Sequence, residues 1–155
     1  MRVLARFLLM LCLVVWIGGI IFFSFVVAPA AFSLLPTQES AARIVSSSLG
    51  SLHYIGLVCG VIFLLASFLV DLKRATVLRA VMGLMLLSTA ISQFGITPQM
   101  QSIRAAVGGS IQALPPKDAG RAAFDRLHQL SVILEGVVLL AGLGIVGGIA
   151  AQERE

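Results

Sequence analysis

The sequence predicts an all-α integral membrane protein: an antiparallel bundle of four transmembrane helices, with an extra amphipathic helix in the outer 98–127 connection. Three observations carry this. Hydrophobic residues make up 59% of the chain and charged residues only 12%. An ordinary soluble protein has roughly 25% charged residues, so too few remain here to cover a surface facing water. Apolar runs at about 7–35, 49–70, 77–97 and 130–151 each reach the roughly 20 residues that cross about 30 Å of hydrocarbon. Backbone groups in lipid must pair within the chain, which makes the helix the default spanning structure. The 155 residues suit a single domain, 1–155.

The first span is longer than the hydrocarbon needs, so it must tilt, kink or project. Pro29 is the expected kink, because proline lacks a backbone donor and clashes with the preceding turn. Pro36 ends the span. In PTQESAAR, Thr37 is placed to cap a new helix with Glu39 in its first turn, leading into the second span. Thr97-Pro98 has the form of another helix start, with Thr97 as cap and Pro98 at the first helical position. After it, Met100, Ile103, Val107, Ile111 and Leu114 recur at spacings of three and four, the apolar face of an amphipathic helix. That segment is expected to lie on the membrane surface or to fold over the bundle. Gly108-Gly109 weakens its middle and Leu114-Pro115-Pro116 ends it. Asp118 is then placed to cap the last helix, from about Ala119 to Ala151. MRVLARFLLMLCLVVW begins like a secretory signal. Its apolar run far exceeds the 7–15 residues of a signal core, so an uncleaved first span is expected.

The net charge of +4 does not point to nucleic acid, because the cations gather at span ends. Alternating helices put Arg2, Arg6, Lys73, Arg74, Arg79 and Arg154 on one side, and Arg43, Arg104, Lys117, Arg121 and Arg126 on the other. The excess of one, with the short basic turn at 71–76, favours both termini in the cytoplasm. Counting from the ends puts Cys12 near the inner side and Cys59 nearer the outer, so the two are not expected to meet. Gly56/Gly60 and Gly144/Gly148 stand at helix-contact spacing and suit an intrachain contact or a homo-oligomer.

FDRLHQLSVILEG, residues 124–136, carries the chemistry. His128, Ser131 and Glu135 fall on one helical face inside an apolar run. An ionised carboxylate at the centre of a span costs roughly 2.5–3.5 kcal/mol on insertion scales, so Glu135 must be protonated, paired, bound to a cation or open to water. His53 opens the second span at a similar depth, and Ser88, Ser92 and Gln93 end the third. These groups are expected to line one outer-facing cavity. His128, Glu135 and His53 are the candidate metal ligands, and Ser131, Gln93 and Ser92 the polar lining. Haem held between His53 and His128 is an alternative, and predicts a coloured preparation that loss of either histidine would bleach. A polar stripe that only fixes helix register, in a structural or assembly subunit, is a third. No nucleophile elbow, HExxH, CxxC or phosphate-cradling glycine loop is present, and no catalytic residue is assigned.

WIGGIIFFSFVVAPAAF in the first span, TPQM after the third and FDRLHQLS entering the fourth resemble the transmembrane protein 205 family, whose bacterial members are catalogued as a domain of unknown function (4149). The family pattern often has asparagine seven residues after the histidine of its last motif, where this chain has Glu135. The resemblance implies a small four-helix membrane protein with a link to metal resistance. The expectation is therefore a non-enzymatic protein that binds or transports a small solute or metal cation, with the lipid bilayer as its surroundings.

Overall fold

The structure, a computed structural model, describes residues 2–108 and 110–151. Arg154 lies outside them. Four long helices dominate: α1 (Arg2–Leu34), α2 (Gln38–Ser67), α3 (Ala75–Val107) and α4 (Ala119–Ala150), each long and apolar enough to cross a membrane. They run antiparallel around a ring, α1 on α2, α2 on α3, α3 on α4 and α4 back on α1. Even the most enclosed apolar window, that of α2, is only 39% buried. The outward face therefore consists of side chains such as Leu140, 71% exposed. An apolar belt of this kind is at home in lipid and would aggregate in water.

The helices overrun the hydrocarbon. At 1.5 Å per residue the 30 residues of α2 span about 45 Å, half as long again as the apolar layer. The excess lies at the end away from the termini, where Gln38–Ser48 is polar. Thr37 caps α2 as the sequence predicts, its hydroxyl accepting from the Ser40 N–H at 3.1 Å. Asp118 caps α4, with Oδ1 accepting from the N–H groups of Gly120 and Arg121 at 2.8 and 3.1 Å. Between α3 and α4 lies a short 3₁₀ turn, Ile111–Ala113, pinned by buried Ile111. There Arg121 donates to the Leu114 carbonyl at 2.9 Å.

Thr97-Pro98 does not start a helix. α3 passes through it, so the amphipathic 97–107 stretch is the outward extension of the third span rather than a separate surface helix. The reason is a π-turn at Ile91–Ile96, which lets the helix absorb the proline. The Thr97 N–H reaches back five residues to the Ser92 carbonyl, and the Thr97 hydroxyl donates to that same oxygen at 2.9 Å. Pro29 is handled alike, by a π-turn at Phe23–Val27 closed by the Ala28 N–H on the Phe23 carbonyl. A widened turn relieves the clash of each proline ring with the carbonyl four residues before it, and re-pairs freed backbone groups that lipid could not hydrate. The rod that began as α3 ends at Gly108, whose φ of 65° is the left-handed stop glycine adopts freely.

The core runs along the bundle axis through Leu9, Leu13, Trp16, Ile20, Phe63, Met82, Met85, Val138 and Ile145. Trp16 seats in the notch left by Gly56 and Gly60 of α2, so closely that a Cβ at Gly56 would overlap the indole. That occupation removes the Gly56/Gly60 face from any contact between copies. Gly148 faces Leu78, whereas Gly144 has open space. Cys12 and Cys59, expected apart, interact side chain to side chain. The helices begin at Arg2 and end at Ser67, so residues 10 from one end and 8 from the other share a depth in an antiparallel pair. At the turn near the termini, Arg79 caps α2: Nη2 donates to the Ser67 carbonyl at 2.7 Å and Nε to its hydroxyl at 2.9 Å. A cation there meets the negative end of the helix dipole.

Gly56→Ala should lower stability by about 1–3 kcal/mol, the usual scale of overpacking, because the buried Trp16 ring has no room to retreat. Gly144→Ala should be neutral or stabilising by up to about 1 kcal/mol, from helix propensity alone. Thermal unfolding of both in detergent checks the pair.

Candidate functional site

α2, α3 and α4 meet around a buried histidine. His53 is 2% exposed. Its Nδ1 lies 2.9 Å from Gln93 Oε1 on α3, and its Nε2 lies 3.1 Å from Glu135 Oε2 on α4. Glu135 itself is 16% exposed. The three residues stand near the middle of their helices. Because the polar ends project, they still lie only one to two turns inside the apolar belt, His53 four residues after Leu49 and Glu135 five after Leu130.

Hydrogen bonding restricts the protonation of the pair. With Gln93 Oε1 as the acceptor, Nδ1 carries a hydrogen; with the amide turned over, its NH2 donates and Nδ1 accepts, with Nε2–H then facing the carboxylate. In the first arrangement, if the ring is neutral, Nε2 has only a lone pair, and the Glu135 carboxyl must supply the proton between them. If the ring is charged, Nε2–H donates to a carboxylate. In each arrangement one proton sits between His53 and Glu135, and with Nδ1–H donating to Gln93 the pair is neutral overall. Removing it would set a lone pair against a buried carboxylate, which apolar surroundings penalise heavily.

A second tier of polar groups adjoins the first. Ser92 Oγ lies 3.3 Å from Ser131 Oγ, and Ser131 is one turn from Glu135 along α4. Ser88, Thr89 and Ser92 are all buried and, with Gln93, form a polar stripe on α3. Thr89 Oγ1 has no hydrogen-bond partner among the described residues. Its hydroxyl is the residue the sequence reading missed, although offsets of one, four and five from Ser88 mark the stripe. Tyr54 and Phe94, next in sequence to His53 and Gln93, meet edge to face at 6.2 Å and hold α2 to α3 at this level.

His128 does not join the group. It is exposed, two turns from Glu135, and stacks on Phe124 with ring centroids 6.4 Å apart. The three expected metal ligands therefore reduce to two, and no cluster of three His, Cys, Asp or Glu side chains able to hold a metal forms among the described residues. Haem bridged by His53 and His128 does not fit either, since both nitrogens of His53 already face protein partners. Neither of the two best-formed concavities is lined by His53, Gln93 or Glu135. They lie elsewhere, one of about 210 Å³ between the start of α1 and the 70–71 turn, the other of about 10 Å³ beside Ile111 and Phe124. His53 itself is enclosed, with Gln93 and Glu135 against its two nitrogens.

Four apolar helices closed around an interior polar cluster define a multi-pass integral membrane protein. Residues 11–108, well over half the chain, match the profile of a domain of unknown function, DUF4149, and the chain belongs to that family. No curated protein and no solved structure matches it. His53, Gln93 and Thr89 fall within the matched segment, whereas Ser131 and Glu135 lie beyond it.

His53→Ala should cost roughly 3–5 kcal/mol, the range for stripping one partner from a buried ion pair. Glu135→Gln keeps a donor for Nε2 and should cost no more than about 1 kcal/mol, the scale of one interhelical hydrogen bond in a bilayer. Chemical or thermal denaturation in detergent separates the two.

Proposed function

We propose that the chain is a non-enzymatic membrane protein that binds or carries a small polar solute or a cation, with the His53–Glu135 proton as the exchangeable counterpart. One observation carries the reading: an imidazole 2% exposed, inside an apolar belt, faces a carboxylate and an amide. Ionisable groups at such depth are costly and usually mark a path for ions or protons. A cation that takes the Nε2 lone pair and the carboxylate must release the shared proton, so binding is counted in protons. The orphan Thr89 hydroxyl, one turn from Gln93, offers a further polar contact. The basic excess on the side of the termini favours both termini cytoplasmic, and membership of the DUF4149 family, with its bacterial members, suits a bacterial inner membrane.

The packing around His53 also favours a second reading, in which the cluster fixes helix register in a structural subunit. Proteoliposomes with an entrapped pH dye distinguish the two. Addition of manganese or zinc chloride outside should drive proton movement in the wild type, and Glu135→Gln should abolish it while losing no more than about 1 kcal/mol of stability. Proton movement no greater than in empty vesicles would leave the register role standing for these cations. A response unchanged in Glu135→Gln would remove Glu135 as the exchanging group.

A further inference from the structure

We propose that the concavity at the terminal end of the bundle binds the phosphate of an anionic phospholipid headgroup. It measures about 210 Å³ and is lined by Arg2, Val3, Arg6, Val70 and Asp71. Arg2 and Arg6 are four residues apart on α1, which puts both guanidinium groups on one face. Arg2 is engaged by Asp71 at 3.1 Å. Arg6 has no acidic partner among the described residues. The lining therefore carries one cation in excess, at the level where the apolar belt meets the headgroups. A guanidinium matches a phosphate through paired N–H donors.

The walls decide between a lipid and a free anion. Val3 and Val70 line the concavity, Val3 is itself 83% exposed, and Leu69, next to Val70 in the chain, is a further exposed apolar side chain. Acyl chains can lie along that surface while the phosphate meets Arg6. A free phosphate gains nothing from it. The site is independent of the His53 cluster, which lies further along the bundle.

Native mass spectrometry of the detergent-purified full chain tests the assignment, with phosphatidylglycerol, phosphatidylcholine and inorganic phosphate as separate probes. Phosphatidylglycerol should be retained in preference to phosphatidylcholine. Arg6→Gln should weaken its binding about five-fold, the effect of one cation near a lipid surface. Asp71→Asn frees Arg2 and should strengthen binding by a comparable factor, a gain that loss of fold cannot imitate. Equal binding of the two lipids, or no response to either substitution, would overturn the site. Inorganic phosphate binding as tightly as phosphatidylglycerol would overturn the lipid in favour of the free anion.

Discussion

The seat of Trp16 against Gly56 and Gly60 sets the distance between α1 and α2, and much of the bundle follows from it. In a bilayer no hydrophobic force draws two apolar helices together, because lipid tails are as apolar as leucine. Contact has to come from close packing. Two missing side chains on α2 let a large, rigid ring approach the helix backbone. The same approach brings Cys12 and Cys59 to one depth, and orders α2 with Gly56 toward α1 and Trp16. His53, one turn earlier, contacts α3 and α4 instead.

The second constraint is that lipid supplies no hydrogen bonds. Each proline inside a span removes a backbone donor, and each is preceded by a π-turn that reassigns the neighbouring carbonyls. On α3 this has a consequence for the site, because Ser92 and Gln93 belong to the widened turn itself. The Ser92 carbonyl is occupied by Thr97. Its side chain is left for Ser131, while Gln93 meets His53. Proline accommodation and site geometry are thus parts of one local structure.

The same scarcity explains the chemistry. His53 has partners for both nitrogens, so its position is determined from two helices at once. A neutral pair sharing one proton is tolerated at this depth, whereas a lone carboxylate is not. The pair is therefore both an anchor and a group whose proton has to leave before anything else can take its place.

Composition and apolar run length determined the class, the number of spans and the two helix caps at Thr37 and Asp118, because these depend on local residue chemistry and on the thickness of the hydrocarbon. Glu135, His53, Gln93, Ser92 and Ser131 were legible as polar residues at a similar depth. The sequence did not show which of them touch. His128 and Glu135 share a helix face, yet two turns separate them, and the partner of Glu135 comes from α2 instead. Thr97-Pro98 reads as a helix start by local rules, and only the π-turn before it allowed α3 to continue. Gly56 and Gly60 could have served another copy of the chain, but the neighbouring Trp16 claimed them. Each of these outcomes depended on which residues of other helices arrived at the same level, which is a property of the assembled bundle and not of any single span.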